Sequence, residues 1–182
     1  MMNRRSPLLL LTTILLFCTA RLPASSAEEL QSRSEQALDH LYAKNDRARE
    51  LGEKACAILV FPSVVKAAFI AGGQRGDGVL YEGGQAAGYY NLTSASYGLQ
   101  AGLETYSLAL FFTTQEDLDT LKKTAGFNFG TAPCITVADK GLARELSFYT
   151  LRGVRAFAFK QKGLMGALGL QATKISRYTP SR

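Results

Sequence analysis

Residues 89–113 run YYNLTSASYGLQAGLETYSLALFFT and read as two long β-strands. Leu99, Ala101 and Leu103 alternate with Gln100, Gly102 and Glu104. This period of two is the signature of a half-buried strand with its apolar set turned inward. Leu108 to Phe112 is apolar on both faces, which predicts a central strand. Tyr89, Tyr90 and Tyr97 read as core or girdle aromatics. Asn91-Leu92-Thr93 matches a glycosylation sequon but falls inside a predicted strand.

On the N-terminal side, Ala55 to Phe61 is a short apolar run closed by Pro62, and Lys66 to Ala71 resumes it. Seven glycines then fall between Gly72 and Gly88. That density disfavours helix and predicts turns, bulges or close backbone approach. Val79-Leu80-Tyr81, between two glycine clusters, reads as a hairpin strand. Gly72-Gly73-Gln74-Arg75-Gly76 has the look of a phosphate cradle. It lacks the Lys-Ser/Thr of a nucleotide-binding loop and the strand–loop–helix setting.

Helical signals flank this region. Leu30, Ala37, Leu38, Leu41, Ala48 and Leu51 recur at three- and four-residue spacing, predicting one helix over 28–54. Its seven acids against five bases do not suit an anionic surface, so it is expected to pack on the domain's own core. Thr114 to Thr124 reads as a second helix. Thr114 is the cap, Glu116, Asp117 and Asp119 sit at the positive end, Lys122 and Lys123 at the negative end, and Gly126 is the stop. Further strands are expected at 135–138, 143–149, 154–160 and 168–175. The order predicts an α+β fold: a largely antiparallel, curved or barrel-like sheet with an N-terminal helix and one further helix. Nothing marks a second domain within 28–182.

Charge is distributed unevenly. From Lys140 to Arg182 there are nine bases and one acid, whereas residues 28–139 hold nine bases and fourteen acids. Such a split points to an anionic partner, with a solvated basic face as the bland alternative. The N-terminus narrows the choice. Arg4 and Arg5 precede the apolar run Leu8 to Cys18, and Ser25-Ser26-Ala27 follows. This is the pattern of a secretory signal peptide over residues 1–27, with an apolar run too short to span a membrane. A lipoprotein reading at Cys18 is disfavoured by Phe17, where a small residue is expected. The exported product, periplasmic or secreted, would carry a net charge of +3 once Arg4, Arg5 and Arg21 leave. Export argues against nucleic acid and for a membrane or an acidic envelope protein.

The catalytic inventory is thin. His40 is the single histidine, on a charged helix, and no nucleophile elbow or metal-ligand motif is present. Neither an enzyme nor a cofactor is expected. Cys56 and Cys134 would remain after cleavage, either as a disulfide or as two small buried residues.

Five ordered blocks carry a family likeness. They are Glu53-Lys54-Ala55-Cys56-Ala57-Ile58-Leu59-Val60-Phe61-Pro62 running on to Phe69, Gly72 to Leu80, Ser96-Tyr97-Gly98-Leu99-Gln100-Ala101-Gly102, Ala109 to Thr113, and Lys162-Gly163-Leu164-Met165 with Leu168 to Ile175. Together, over roughly residues 35–176, they resemble the SYLF lipid-binding domain family. Gly166-Ala167 stands where Ala-Gly is usual, and Ala172 replaces a common Gly. The resemblance implies a non-enzymatic lipid-binding module. Its eukaryotic relatives bind phosphoinositides through a contact that includes an amphipathic N-terminal helix, and its bacterial relatives are typically exported.

The expected partner is therefore an anionic phospholipid membrane. Arg155, Lys160, Lys162, Lys174 and Arg177 are the candidate basic contacts. Leu164 and Met165, at a glycine-flanked turn, are candidates either for a membrane wedge or for closing the core. Two other classes stay open: an envelope protein-interaction or assembly module, and a carrier with a cavity inside the sheet.

Overall fold

The computed structural model describes residues 26–123, 127–136, 144–147 and 153–180; side chains at 98–100, 127–136, 144–147 and 164–172 lie outside the description. The signal-peptide pattern, Cys18 and the side chains of Cys134, Leu164 and Met165 therefore fall outside it. The elements are α1 (Ala27–Lys44), α2 (Asp46–Lys54), β1 (Ala57–Glu82), β2 (Gln85–Phe112), α3 (Gln115–Lys123), β3 (Phe127–Thr136), β4 (Arg144–Ser147) and β5 (Val154–Tyr178). The protein is α+β, with one antiparallel sheet in the order β1-β2-β5-β3 and β4 also on β5. No pairing joins β1 to β3 or β4 among the described residues, so the sheet is open.

The single helix expected over 28–54 is two. Asn45 takes an extended conformation (φ −146°), ends α1, and accepts a hydrogen bond from Ala48 N on Oδ1 at 2.9 Å. Asn at such a cap contributes about 1 kcal/mol, and here the side chain caps the start of α2.

The glycine-rich region shows the close approach that its density predicts, but within a strand longer than expected. Gly72, Gly73, Gly76 and Gly78 are inside β1, which runs unbroken for 26 residues. Only Gly83 and Gly84 make the turn to β2, with φ of +56° and +79°. The glycines within the strand serve close approach. β1 bends at Ile70, a non-glycine residue with φ +64°, where its register with β2 shifts. A Cβ on Gly78 would lie 2.6 Å from both Val60 O and Phe61 Cδ1. One on Gly76 would lie 2.8 Å from Ser63 O, and one on Gly72 would overlap Ala68 Cβ. The contacts pair positions on the two sides of Ile70: Gly72 with Ala68, Gly76 with Ser63, and Gly78 with Val60 and Phe61. The strand is thus folded back on itself, and its limbs touch where no side chain intervenes.

β2 and β5 follow the same fold, so the sheet wraps around an interior. Leu59, Phe61 and Val64 from the first limb of β1 share one core with Leu80, Tyr90, Leu92 and Ile175 from the second limbs of β1, β2 and β5. Leu118 and Leu121 of α3 close its open end. Thr114 Oγ1 accepts from Asp117 N as expected, and Asp117 Oδ2 accepts from Gly153 N at 3.0 Å, tying α3 to the start of β5. A second core lies outside the sheet. There Leu30, Ala37, Leu41 and Ala48 of α1 and α2 cover Val60, Ala109, Phe111, Phe157 and Phe159. The N-terminal helices pack on the domain's own core, as their charge predicts.

Candidate functional site

Both cores lie toward the hairpin end of the fold. Approaching the bend, the sheet changes character. Val65 (41% exposed), Phe69 (78%), Ile70 (51%), Tyr97 (71%) and Leu103 (59%) all face solvent there. Strand register places them together: Ala67 pairs with Leu103, Phe69 with Ala101 and Ala71 with Tyr97. They form a convex apolar ridge along the folded edge of the sheet. Scattered exposed apolar side chains need no explanation, but five large ones in one place make a candidate interaction surface.

This inverts the expectation for residues 101–104. The alternation is real, but Leu103 and Ala101 point outward while Glu104 is 8% exposed. Tyr97 belongs to the ridge, not the core. The interior behind the ridge is polar: Lys66, Gln74, Ser94, Ser96 and Glu104 are all buried. Lys66 stands directly opposite Glu104 on β2. Tyr106 Oη bonds Gln74 Oε1 at 2.7 Å, linking the first limb of β2 to the second limb of β1. Ser94 Oγ is buried without a hydrogen-bond partner.

The Glu104 carboxyl is pushed above its ordinary 4.5 by burial, against which the nearby Lys66 charge acts in the opposite direction. A carboxyl whose folded pKa is raised keeps its proton longer in the folded state than in the unfolded chain. Its contribution therefore favours folding at low pH and is lost as pH rises from about 4.5 through the raised value. Urea midpoints of the wild type and Glu104→Gln, compared across that interval, should diverge in the variant's favour as pH rises. A difference independent of pH would place the carboxyl in an ordinary solvated setting.

All seven sequence-proposed residues are on β5, but they do not form one patch. Lys162 is exposed and pairs with Thr105, the partner of Val65 on β1. Two strand spacings put it about 10 Å from Val65. Leu164 and Met165 pair with Leu103 and Gly102 inside the strand, so the expected turn is instead a kink at Gly163, φ +100°. Lys174 is exposed on the second limb, between Thr93 of β2 and Asn128 of β3, and Arg75 is exposed beyond Thr93 on β1. Lys162, Lys174 and Arg75 thus flank the ridge, on the same outward face.

Lys160, at a positive φ of +54°, is exposed two residues before Lys162. It reaches toward α1, where partial burial first, and then Lys160 and Lys44, hold His40 below its usual pKa. Arg155 and Arg177 lie far from the bend. Arg155 is half-buried opposite Phe111, and its guanidinium donates to Val154 O at 3.4 Å. Arg177 is exposed opposite Tyr90, toward the hairpin end. With a rise of about 3.3 Å per residue, Arg155 is roughly 23 Å along the strand from Lys162.

Cys56 is an exposed free thiol just before β1, which corrects the reading of a disulfide or a buried residue at this position. No three His, Cys, Asp or Glu side chains cluster as metal ligands among the described residues, and no described helix is long and apolar enough to cross a membrane. What the ridge offers a partner is apolar area bordered by positive charge. Comparison with protein-family models finds no match to this chain, and comparison with curated proteins finds none either.

Proposed function

We propose that the protein is a non-enzymatic, exported lipid-binding domain that attaches to the surface of anionic phospholipid membranes. The observation that carries this reading is the apolar ridge of Val65, Phe69, Ile70, Tyr97 and Leu103, bordered by exposed Lys162 and Lys174. The likeness of the sequence to SYLF domains agrees with it. The mode differs from the one that likeness implies, because the apolar face of α1 is already buried through Leu30, Ala37 and Leu41.

Each base close to an anionic leaflet contributes about 1 kcal/mol. The three lysines Lys160, Lys162 and Lys174 would therefore give only weak attachment on charge alone, about 3 kcal/mol. The ridge supplies the apolar part.

Co-sedimentation with phosphatidylcholine vesicles and with vesicles containing phosphatidylglycerol, at low and high salt, tests the proposal. Binding should need the anionic lipid and weaken with salt. Reversing two charges with Lys160→Glu and Lys162→Glu should weaken it by about 30-fold or more, at roughly 1 kcal/mol for each charge removed. Unchanged binding would remove these two lysines from the contact. Failure to bind any vesicle would overturn the membrane reading and leave an acidic envelope protein as the partner for the basic residues.

A further inference from the structure

Adsorption to a membrane surface requires an apolar outside. It does not require a polar inside, and the bend has both. At the hairpin end the interior is the usual apolar kind, filled by Leu59, Phe61, Leu110 and Phe112. Around the bend the polarity reverses. Every exposed described position on β1 from 65 to 71 is apolar: Val65, Ala67, Phe69, Ile70 and Ala71. On β2 the exposed described positions from 95 to 103 are Ala95, Tyr97, Ala101 and Leu103. The inward positions hold Lys66, Gln74, Ser94, Ser96 and Glu104. Apolar outside and polar inside is the pattern of a sheet whose surroundings are hydrocarbon, where an outward polar group has nothing to bond with and an inward one does.

We propose that the bend inserts into the acyl-chain region of one leaflet, with Lys162, Lys174 and Arg75 as a collar at the headgroups. This rests on the membrane-surface reading and specifies its depth. From Thr105, in the row of Lys162, to Gln100 at the fold is five residues, and from Thr93, in the row of Lys174, to Gly98 is again five. Five residues of strand rise about 17 Å. One leaflet contributes about 15 Å of a hydrocarbon core about 30 Å thick, and a spanning strand needs roughly 9–11 residues. The ridge is therefore long enough to enter one leaflet and too short to cross two. The polar interior travels with it, shielded by the apolar ridge, and the outward bases stop it at the interface, where such side chains remain solvated.

The chain contains no tryptophan, so one introduced indole reports alone. Phe69→Trp and, separately, Leu103→Trp would be bound to phosphatidylglycerol-containing vesicles whose lipids carry bromine on the acyl chains. Gln85→Trp, at the exposed hairpin end, is the control. The expected result is a blue shift and a loss of roughly half the emission for the two ridge indoles, because they would sit in the leaflet that holds the bromines, with no change at position 85. Normal co-sedimentation with unquenched ridge indoles would overturn insertion and leave surface attachment standing. Loss of co-sedimentation by the wild-type protein itself would overturn both.

Discussion

Phe69→Ser combined with Leu103→Ser should lower the partitioning of the protein onto anionic vesicles by about 100-fold while leaving its thermal midpoint unchanged. Fully burying a Leu or Phe side chain is worth about 1.5–3 kcal/mol. Phe69 and Leu103 are 78% and 59% exposed, so most of that gain is still unrealised in the free protein. Together they have about 3 kcal/mol to contribute on entering lipid, and 1.4 kcal/mol is a factor of ten in affinity. Folding should be indifferent, since substitutions on an open surface usually stay within about 0.5 kcal/mol. Vesicle flotation of the double variant beside Lys160→Glu/Lys162→Glu separates the two contributions. The serine variant should lose affinity at every salt concentration, whereas the charge variant should differ from wild type mainly at low salt. Full binding by the serine variant would show that the ridge is not the contact.

Gly78→Val should destabilise the protein by more than about 3 kcal/mol, beyond the range for simple overpacking of a core. The added Cβ would lie 2.6 Å from the carbonyl oxygen of Val60 as well as from Phe61 Cδ1. A flexible side chain could move aside. The Val60 backbone cannot move without disturbing the pairing of Val60 with Ala109. The limbs of β1 would have to part, opening the interior around Phe61, Leu59 and Leu80. Gly83→Ala is the instructive contrast. Its Cβ meets nothing, and the cost is only that of an L-residue at φ +56°, about 1–2 kcal/mol. Chemical denaturation of the two variants should therefore rank them clearly. Equal losses would mean that the limbs are not in contact at Gly78.

Much of this architecture was legible in the sequence. The α+β class, the antiparallel strands, the Thr114 cap of α3 and the inward face of α1 follow from periodicity and capping residues, while Gly126, the expected stop of α3, lies outside the described residues. The break at Asn45 was missed because Leu41, Ala48 and Leu51 keep helical spacing across it, although Asn is a good cap and three residues later Ala48 supplies the bonded N–H. The long glycine-containing strands were missed for a different reason. Close approach and turn make the same demand on sequence, and only the partner atom tells them apart: Val60 and Phe61 for Gly78, nothing for Gly83.

The ridge was the largest gap. A period-two pattern states that two faces differ, and it does not state which faces outward. Glu104 and Lys66 were the available signal, since two opposite charges at inward positions of neighbouring strands can accompany each other into an interior. Recognising that required the cross-strand register. The basic residues of β5 were found by composition alone. Strand geometry then divided them, leaving Arg155 and Arg177 far from the bend.

The two-glycine turn between β1 and β2 also bears on how the chain assembles. β1 and β2 are adjacent in sequence and can zip outward from Gly83-Gly84, starting with Glu82 against Gln85. β5 arrives much later: Phe112 pairs with Val154, but Tyr89 waits for Tyr178. Contacts of long sequence separation form slowly because loop closure comes first. A chain emerging N-terminus first would thus hold a finished β1–β2 ribbon, with Phe69 and Tyr97 already displayed and the far edge of β2 unpaired. During that interval the unpaired edge of β2 is a liability for self-association, and the 25 residues of β5 end it by pairing along that edge.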